Sequence, residues 1–209
     1  MIYKDIEQGT PEWLALRAGC VTASNVSAVK AKSKDGKGEG ITRRKYRIQI
    51  ITEWLTGKPV SSGWTSAAIE HGKEMEPIAR AAYEAETGNF VEQVTFVTRD
   101  DIEHFGCSPD GLVGEDGLME IKCPESHTHF GYFSAGEVPN DYKDQMLCQC
   151  LVTGRKWVDF VSFDNRMPEH LQLFIVRYTP DPKDLADLEA AVIQFLTEAK
   201  AEYQKWSNK

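Results

Sequence analysis

Two turn signals, Ser108-Pro109-Asp110-Gly111 and Gly114-Glu115-Asp116-Gly117, constrain the fold of this chain more than any other stretch. Pro109 pre-sets the first turn and the Gly-Glu-Asp-Gly run signals the second. The flanking runs Leu112-Val113 and Leu118-Met119-Glu120-Ile121-Lys122-Cys123 then read as two strands of a hairpin. A period of two puts Met119, Ile121 and Cys123 on one face, suited to packing on a helix. Glu120 and Lys122 fall on the other, facing a cleft.

Register decides whether Asp110 joins them. A two-residue loop, Glu115-Asp116, pairs Asp110 with Ile121 on the wrong face. A three-residue loop with Gly117 in the left-handed position pairs Asp110 with Lys122 and matches Val113 with Met119 in the core. The second register is the one expected. It gathers two carboxylates and an ammonium, a set suited to phosphodiester hydrolysis with a divalent metal. Mg²⁺ usually takes only one or two protein carboxylates and keeps sites open for water and phosphate. The lysine can orient the attacking water or offset charge on the scissile phosphate. Glu-x-Lys alone is equally an ordinary solvated hairpin face. Its distance from Ser-Pro-Asp-Gly is what makes it a motif.

The chain has 209 residues, enough for one domain with a real core and no disulfides. Five cysteines (Cys20, Cys107, Cys123, Cys148 and Cys150) are odd in number and lack a Cys-x-x-Cys pair, so reduced, mostly buried thiols are expected in place of a disulfide framework or a zinc or iron–sulfur site. His127-x-His129 has no third well-spaced ligand and reads as a polar loop or helix start. No apolar run approaches the ~18 residues of a membrane span, and the N-terminus lacks a secretory pattern. A cytoplasmic protein with no membrane partner is expected.

The net charge of −8 argues against long-range attraction of the whole chain to nucleic acid, yet the charge is unevenly distributed. Residues 30–47 carry Lys30, Lys32, Lys34, Lys37, Arg43, Arg44, Lys45 and Arg47 against Asp35 and Glu39, a local balance of +6 that leaves −14 elsewhere. Either a basic DNA-facing lane, with Lys37, Arg43 and Arg44 as contacts, or a solvated loop followed by an amphipathic helix fits that pattern.

Thr10-Pro11-Glu12 signals a helix start and Gly19 a stop, with Trp13, Leu16 and Arg17 at helical spacing. A second short helix is expected from Thr22–Ser24 to before Ser33, then a mobile loop through Gly40. Residues 42–56 place Tyr46, Ile50, Ile51, Trp54 and Leu55 on one helical face, closed by Gly57. Ser66 to Glu86 is helical with a kink or restart at Pro77, and Glu76 sits at that bend. Strands are expected at Phe90–Thr98, Trp157–Phe163 and Leu171–Tyr178. A helix from Pro139 to Thr153 puts Gln145 and Gln149 one turn apart. The run from Pro182 to Trp206 is a long amphipathic helix that packs on the core or a subunit interface. No internal repeat or second domain is evident, so a single domain spanning residues 1–209 is expected, α/β (α+β) in class, with a central mixed sheet flanked by helices.

Several motifs in order carry a resemblance. Trp13-x-x-x-Arg17 with Val21-Thr22-Ala23-Ser24, then His71-Gly72-Lys73-Glu74-Met75-Glu76, Cys107-Ser108-Pro109-Asp110-Gly111 and Glu120-Ile121-Lys122-Cys123-Pro124 resemble the phage lambda exonuclease family, the YqaJ-like viral recombinases. The likeness covers roughly residues 10 to 155. It implies a restriction-endonuclease-like PD-(D/E)xK core that digests one strand of duplex DNA from a 5′ end to mononucleotides with Mg²⁺, two ions in all, Mn²⁺ being able to substitute.

Position by position, the resemblance makes Asp110, Glu120 and the Ile121 carbonyl metal ligands, Glu76 the acid that completes the site, and Lys122 the group that positions water. It gives Gln145 a supporting role, and it assigns Arg17, Ser24 and Ser108 to a pocket for the terminal 5′-phosphate. Trp13 and Ile69 fall near the separating strands. An arginine fork with two hydroxyls is also chemically suited to a phosphate dianion, although Arg17 could equally be a helix-end charge, Ser24 an N-cap and Ser108 a turn residue. The family further implies a homotrimeric ring around DNA and a single-strand annealing protein as partner. Pro77 and the lysine-rich loop at 33–40 are local variations on its pattern. An endonuclease of the same superfamily and a non-catalytic DNA-end-binding scaffold are the competing readings. An iron–sulfur nuclease would need four suitably placed cysteines.

Overall fold

A computed structural model of the chain describes residues 1–36, 38–60 and 67–207. The larger of its two sheets runs in the order β3 (Val91–Glu92), β6 (Gly111–Val113), β7 (Gly117–Lys122), β8 (Trp157–Phe163) and β9 (Leu173–Tyr178). Only β7 and β8 pair in parallel, so this sheet is mixed. The smaller sheet, which the sequence pattern did not signal, runs β1 (Ile2–Tyr3), β4 (Phe96–Thr98), β5 (Phe105–Cys107) and β2 (Val21–Thr22).

Helices cover both faces of the larger sheet. α1 (Pro11–Arg17) starts as expected, with the Thr10 side chain accepting from the Trp13 backbone N–H. A 3-10 helix follows at Ala23–Lys30, then α2 (Ile41–Thr56), α3 (Ala67–Thr87), α4 (Ser126–Ala135), α5 (Asn140–Thr153) and α6 (Pro182–Ser207). On one face Ala79 and Tyr83 of α3 pack with Val113, Met119, Ile121 and Val161. On the other, Leu112, Leu118 and Phe160 meet Met146 of α5 and Phe195 of α6. Each fully buried large apolar side chain contributes about 1.5–3 kcal/mol, so the alternation along β7 is what fastens the hairpin between the two helical layers.

Four local expectations are corrected. Phe90–Thr98 is not one strand: Val91–Glu92 and Phe96–Thr98 belong to different sheets, and Phe90 is largely exposed. Thr95, between them, is held by Tyr3 and Ile6 backbone carbonyls, contacts that a local pattern cannot specify. Of the kink or restart expected at Pro77, the restart does not occur: α3 is one helix from Ala67 to Thr87, and burial of Ala79 and Tyr83 just downstream offsets the lost backbone bond. Leu55 is exposed, and the charged Glu53 takes the buried position on α2 because the Gly19 and Val60 amides donate to it. The last strand begins at Leu173, after a 3-10 turn at Glu169–Leu171. No described helix is long and apolar enough to cross a membrane.

Candidate active site

The hairpin closes in a third register. Gly111 pairs with Met119, Leu112 with Leu118 and Val113 with Gly117, so the loop is Gly114–Asp116 and Gly114 adopts the left-handed conformation. Gly117 serves a different purpose: a Cβ there would meet the Trp157 ring at 2.1 Å, so the glycine permits a close approach. The ladder is displaced by two residues from the expected one, which leaves every side chain on its expected face. Continued by one pair, it brings Asp110 beside Glu120 in place of Lys122. Asp110 Oδ2 accepts from the Ile121 backbone N–H at 2.7 Å.

Glu120 is the centre of the cluster and is only 1% exposed. Its Oε1 accepts from Lys122 Nζ and from Gln145 Nε2 at 2.5 Å, and its Oε2 accepts from Gln149 Nε2 at 2.5 Å. Lys122 also lies 5.1 Å from the Tyr142 ring centroid. Burial disfavours the charge on Lys122, but the Glu120 and Asp110 carboxylates outweigh it and raise its pKa. Asp110 is pushed well above the usual carboxylate range, first by burial and then by the neighbouring Glu120 charge, with Glu76 adding to it. Gln149 was placed one turn from Gln145 by sequence, without a role. Its bond to the same carboxylate depends on how α5 crosses β7.

Glu76 sits on α3 directly before Pro77, and its Oε1 accepts from Arg80 Nη2 at 2.7 Å. Burial raises its pKa, Arg80 opposes that, and Glu120 reinforces it. Thus Glu76 is linked to the pair through charge but engaged by Arg80. Among the described residues no three His, Cys, Asp or Glu side chains converge as a ready metal cage. The donor set still fits a hard divalent cation: oxygen ligands only, with the Glu120 charge raising the pKa of both Asp110 and Glu76, and the Ile121 backbone carbonyl next in the chain to Glu120.

A second cluster forms around α1. Arg17 donates from Nη1 to Ser108 Oγ at 2.9 Å and from Nη2 to Ser24 Oγ at 3.3 Å, while Trp13 Nε1 donates to Ser108 Oγ at 3.2 Å. The guanidinium carbon stands 4.1 Å from the Trp13 ring centroid. Burial lowers the pKa of Arg17, and none of the ion pairs among the described residues involves it. A half-buried guanidinium facing two hydroxyls without a carboxylate has the chemistry to receive an external anion. The end of α1 is fixed by Gly19, whose N–H donates to Glu53 at 2.6 Å and whose carbonyl accepts from Trp54 at 2.9 Å.

The basic segment resolves unevenly. Lys37 lies outside the described residues. Arg43 is taken up internally, pairing with Glu39 and Glu198 at 2.7 Å each, donating to the Val29 carbonyl and lying over Phe195. It is therefore held as a tertiary clamp, a role the sequence pattern did not signal beside the expected DNA contact. Arg44, one residue on, is exposed. Ile69 is 45% exposed on α3. His129 is buried between Ser162 and the Leu171 carbonyl within α4, while His127 lies near that helix's start.

Residues 12–156 match the model of the YqaJ-like viral recombinase domain. Among solved structures, an alkaline exonuclease (LHK-Exo) from Laribacter hongkongensis is 41% identical, with 95% of this chain and 97% of that chain covered and a TM-score of 0.86. The same protein in complex with dAMP gives the same figures. A phage-related exonuclease from Haemophilus somnus 129PT, 16% identical over 89% of this chain and 94% of that one with a TM-score of 0.61, shares the fold. No curated protein matches the chain. The fold is thus mixed α/β of the restriction-endonuclease-like kind.

Proposed function

Because the chain belongs to the YqaJ-like viral recombinase family, we propose that it is a deoxyribonuclease, a Mg²⁺-dependent exonuclease that digests one strand of linear duplex DNA from a 5′-phosphorylated end. The products are mononucleotides and a 3′ overhang for single-strand-annealing recombination. One observation carries the reading: the carboxylate-free Arg17–Ser24–Ser108 cluster and the Asp110–Glu120–Lys122 cluster share one short segment, Ser108 to Asp110. A metal site alone would serve an endonuclease equally well. An anion pocket for a terminal phosphate beside it favours an end-dependent enzyme.

Asp110, Glu120 and the Ile121 carbonyl would hold Mg²⁺, with Glu76 completing the site, and two ions or Mn²⁺ are compatible with the oxygen donors. When bound, the metal supplies Lewis acidity and a water of lowered pKa. Lys122 would orient the attacking water and balance charge on the phosphate. Gln145 fixes Glu120. Arg17, Ser24 and Ser108 bind the end phosphate with charge-assisted hydrogen bonds. Trp13 and Ile69 border the separating strands, and Arg44 and Lys37 contact the backbone. A homotrimeric ring, an annealing-protein partner and a cytoplasmic site of action belong to the same reading.

The test is a time course with 5′-phosphorylated linear duplex and covalently closed circular DNA in Mg²⁺. Mononucleotides should appear from the linear substrate alone, and Asp110→Ala should abolish them. Cleavage of the circle would favour an endonuclease, and undiminished release by the variant would remove Asp110 from the site.

A further inference from the structure

Along α5, Met146, Leu147, Cys148, Cys150, Leu151 and Val152 are all buried, and all but one residue of the stretch is apolar. The exception is Gln149, fully buried, with Nε2 donating to Glu120 Oε2 at 2.5 Å. Its own Oε1 is buried with no hydrogen-bond partner among the described residues. A buried amide left half-satisfied is unfavourable, and an apolar side chain of equal size would fill the same space without that penalty. The amide is therefore held by one interaction only, the one with Glu120. Gln145 engages the other oxygen of the same carboxylate. Lys122 and Gln145 both donate to Oε1, and Gln149 donates to Oε2, so Gln149 supplies the second anchor that fixes the plane of the Glu120 carboxylate; held through Oε1 alone, the group is freer to rotate.

We propose that Gln149 is a positioning residue that acts with Gln145 to present the Glu120 carboxylate to a divalent cation, an inference that rests on the metal-dependent reading above. Partners that orient a metal-binding carboxylate typically change metal affinity or activity by about 10–100-fold when removed. Among the described residues Gln149 shares no hydrogen bond with Arg17, Ser24 or Ser108, so recognition of the DNA end should be independent of it.

The experiment titrates metal-free wild type, Gln149→Met and Asp110→Asn with Mg²⁺ and follows the melting temperature without DNA. Cleavage of 5′-phosphorylated duplex is measured across the same Mg²⁺ range. Gln149→Met should fold and bind DNA ends with an unchanged KM, while its Mg²⁺ half-saturation point rises about 10–100-fold in both readouts. Gln149→Asn, which keeps the amide but shortens its reach, should move in the same direction. A folded Gln149→Met with the wild-type Mg²⁺ half-point overturns the proposal. Failure of both variants to fold would make Gln149 a packing residue and overturn it as well. If wild type shows no Mg²⁺ response, the metal-dependent reading itself fails, an outcome distinct from a wild-type response that Gln149→Met shares.

Discussion

Arg17 Nη1 lies 2.9 Å from Ser108 Oγ, although 91 residues separate them in the chain. That contact joins the end of α1 to the segment carrying Asp110, and it forms without any carboxylate to neutralise the guanidinium.

Loss of that guanidinium should be read most clearly through the substrate end. A hydrogen bond to a charged group is worth about 1.5–3 kcal/mol, so Arg17→Ala should slow digestion of 5′-phosphorylated ends roughly 10–100-fold. Digestion of 5′-hydroxyl ends, already slower in wild type, should hardly change. Equal slowing on both ends would place the phosphate elsewhere.

Asp110 links the site to stability as a function of pH. Burial and the Glu120 charge raise its pKa in the folded chain, so the folded state keeps a proton that the unfolded chain releases above about pH 4. Metal-free wild type should therefore lose stability as pH climbs from there through the folded pKa. Asp110→Asn should flatten that loss while abolishing cleavage, with about 2–4 °C in Tm for each kcal/mol relieved. Thermal melts in chelator across pH test this; parallel profiles for the two proteins would contradict it.

Adjacent arginines should behave oppositely. Arg43→Ala removes two carboxylate contacts, a carbonyl bond and the stack on Phe195, and should cost about 1–3 kcal/mol of stability. Arg44→Ala should leave stability within about 0.5 kcal/mol and instead weaken DNA binding, reducing the salt-dependence slope by about 1. Denaturant unfolding and salt-titrated binding of the two variants separate the roles.

Gly117→Ala tests the observed register. An added methyl group would collide with the Trp157 ring, a clash that should cost about 1–3 kcal/mol. Gly114→Ala instead meets open space and should be penalised only for its left-handed backbone. If only the Gly114 variant were destabilised, Gly117 would not be in contact with Trp157.

The periodic elements were legible because local forces define them: α1 from Thr10 and Pro11, α6 from its apolar stripe, and β7 from its alternation. The faces of Asp110, Glu120 and Lys122 were legible too, since any even displacement of the ladder preserves them. The partner of Asp110 was not, because Gly114 and Gly117 are chemically identical turn signals and only Trp157, 40 residues on, distinguishes them. The clamp at Arg43 was illegible for a similar reason: its partner Glu198 lies on α6, 155 residues away. Gln149 showed the right spacing, but helical periodicity contains nothing about which strand a turn of α5 will cross.

Ser108 and Asp110 are joined by a single intervening proline, and covalent geometry limits their separation to about 7 Å. If one grips the DNA end while the other serves the cleavage centre, the backbone between them caps the distance from grip to cut. The step taken along the strand would then be bounded by covalent geometry at this turn, with Arg17 and Ser24 setting where within that bound the end is held.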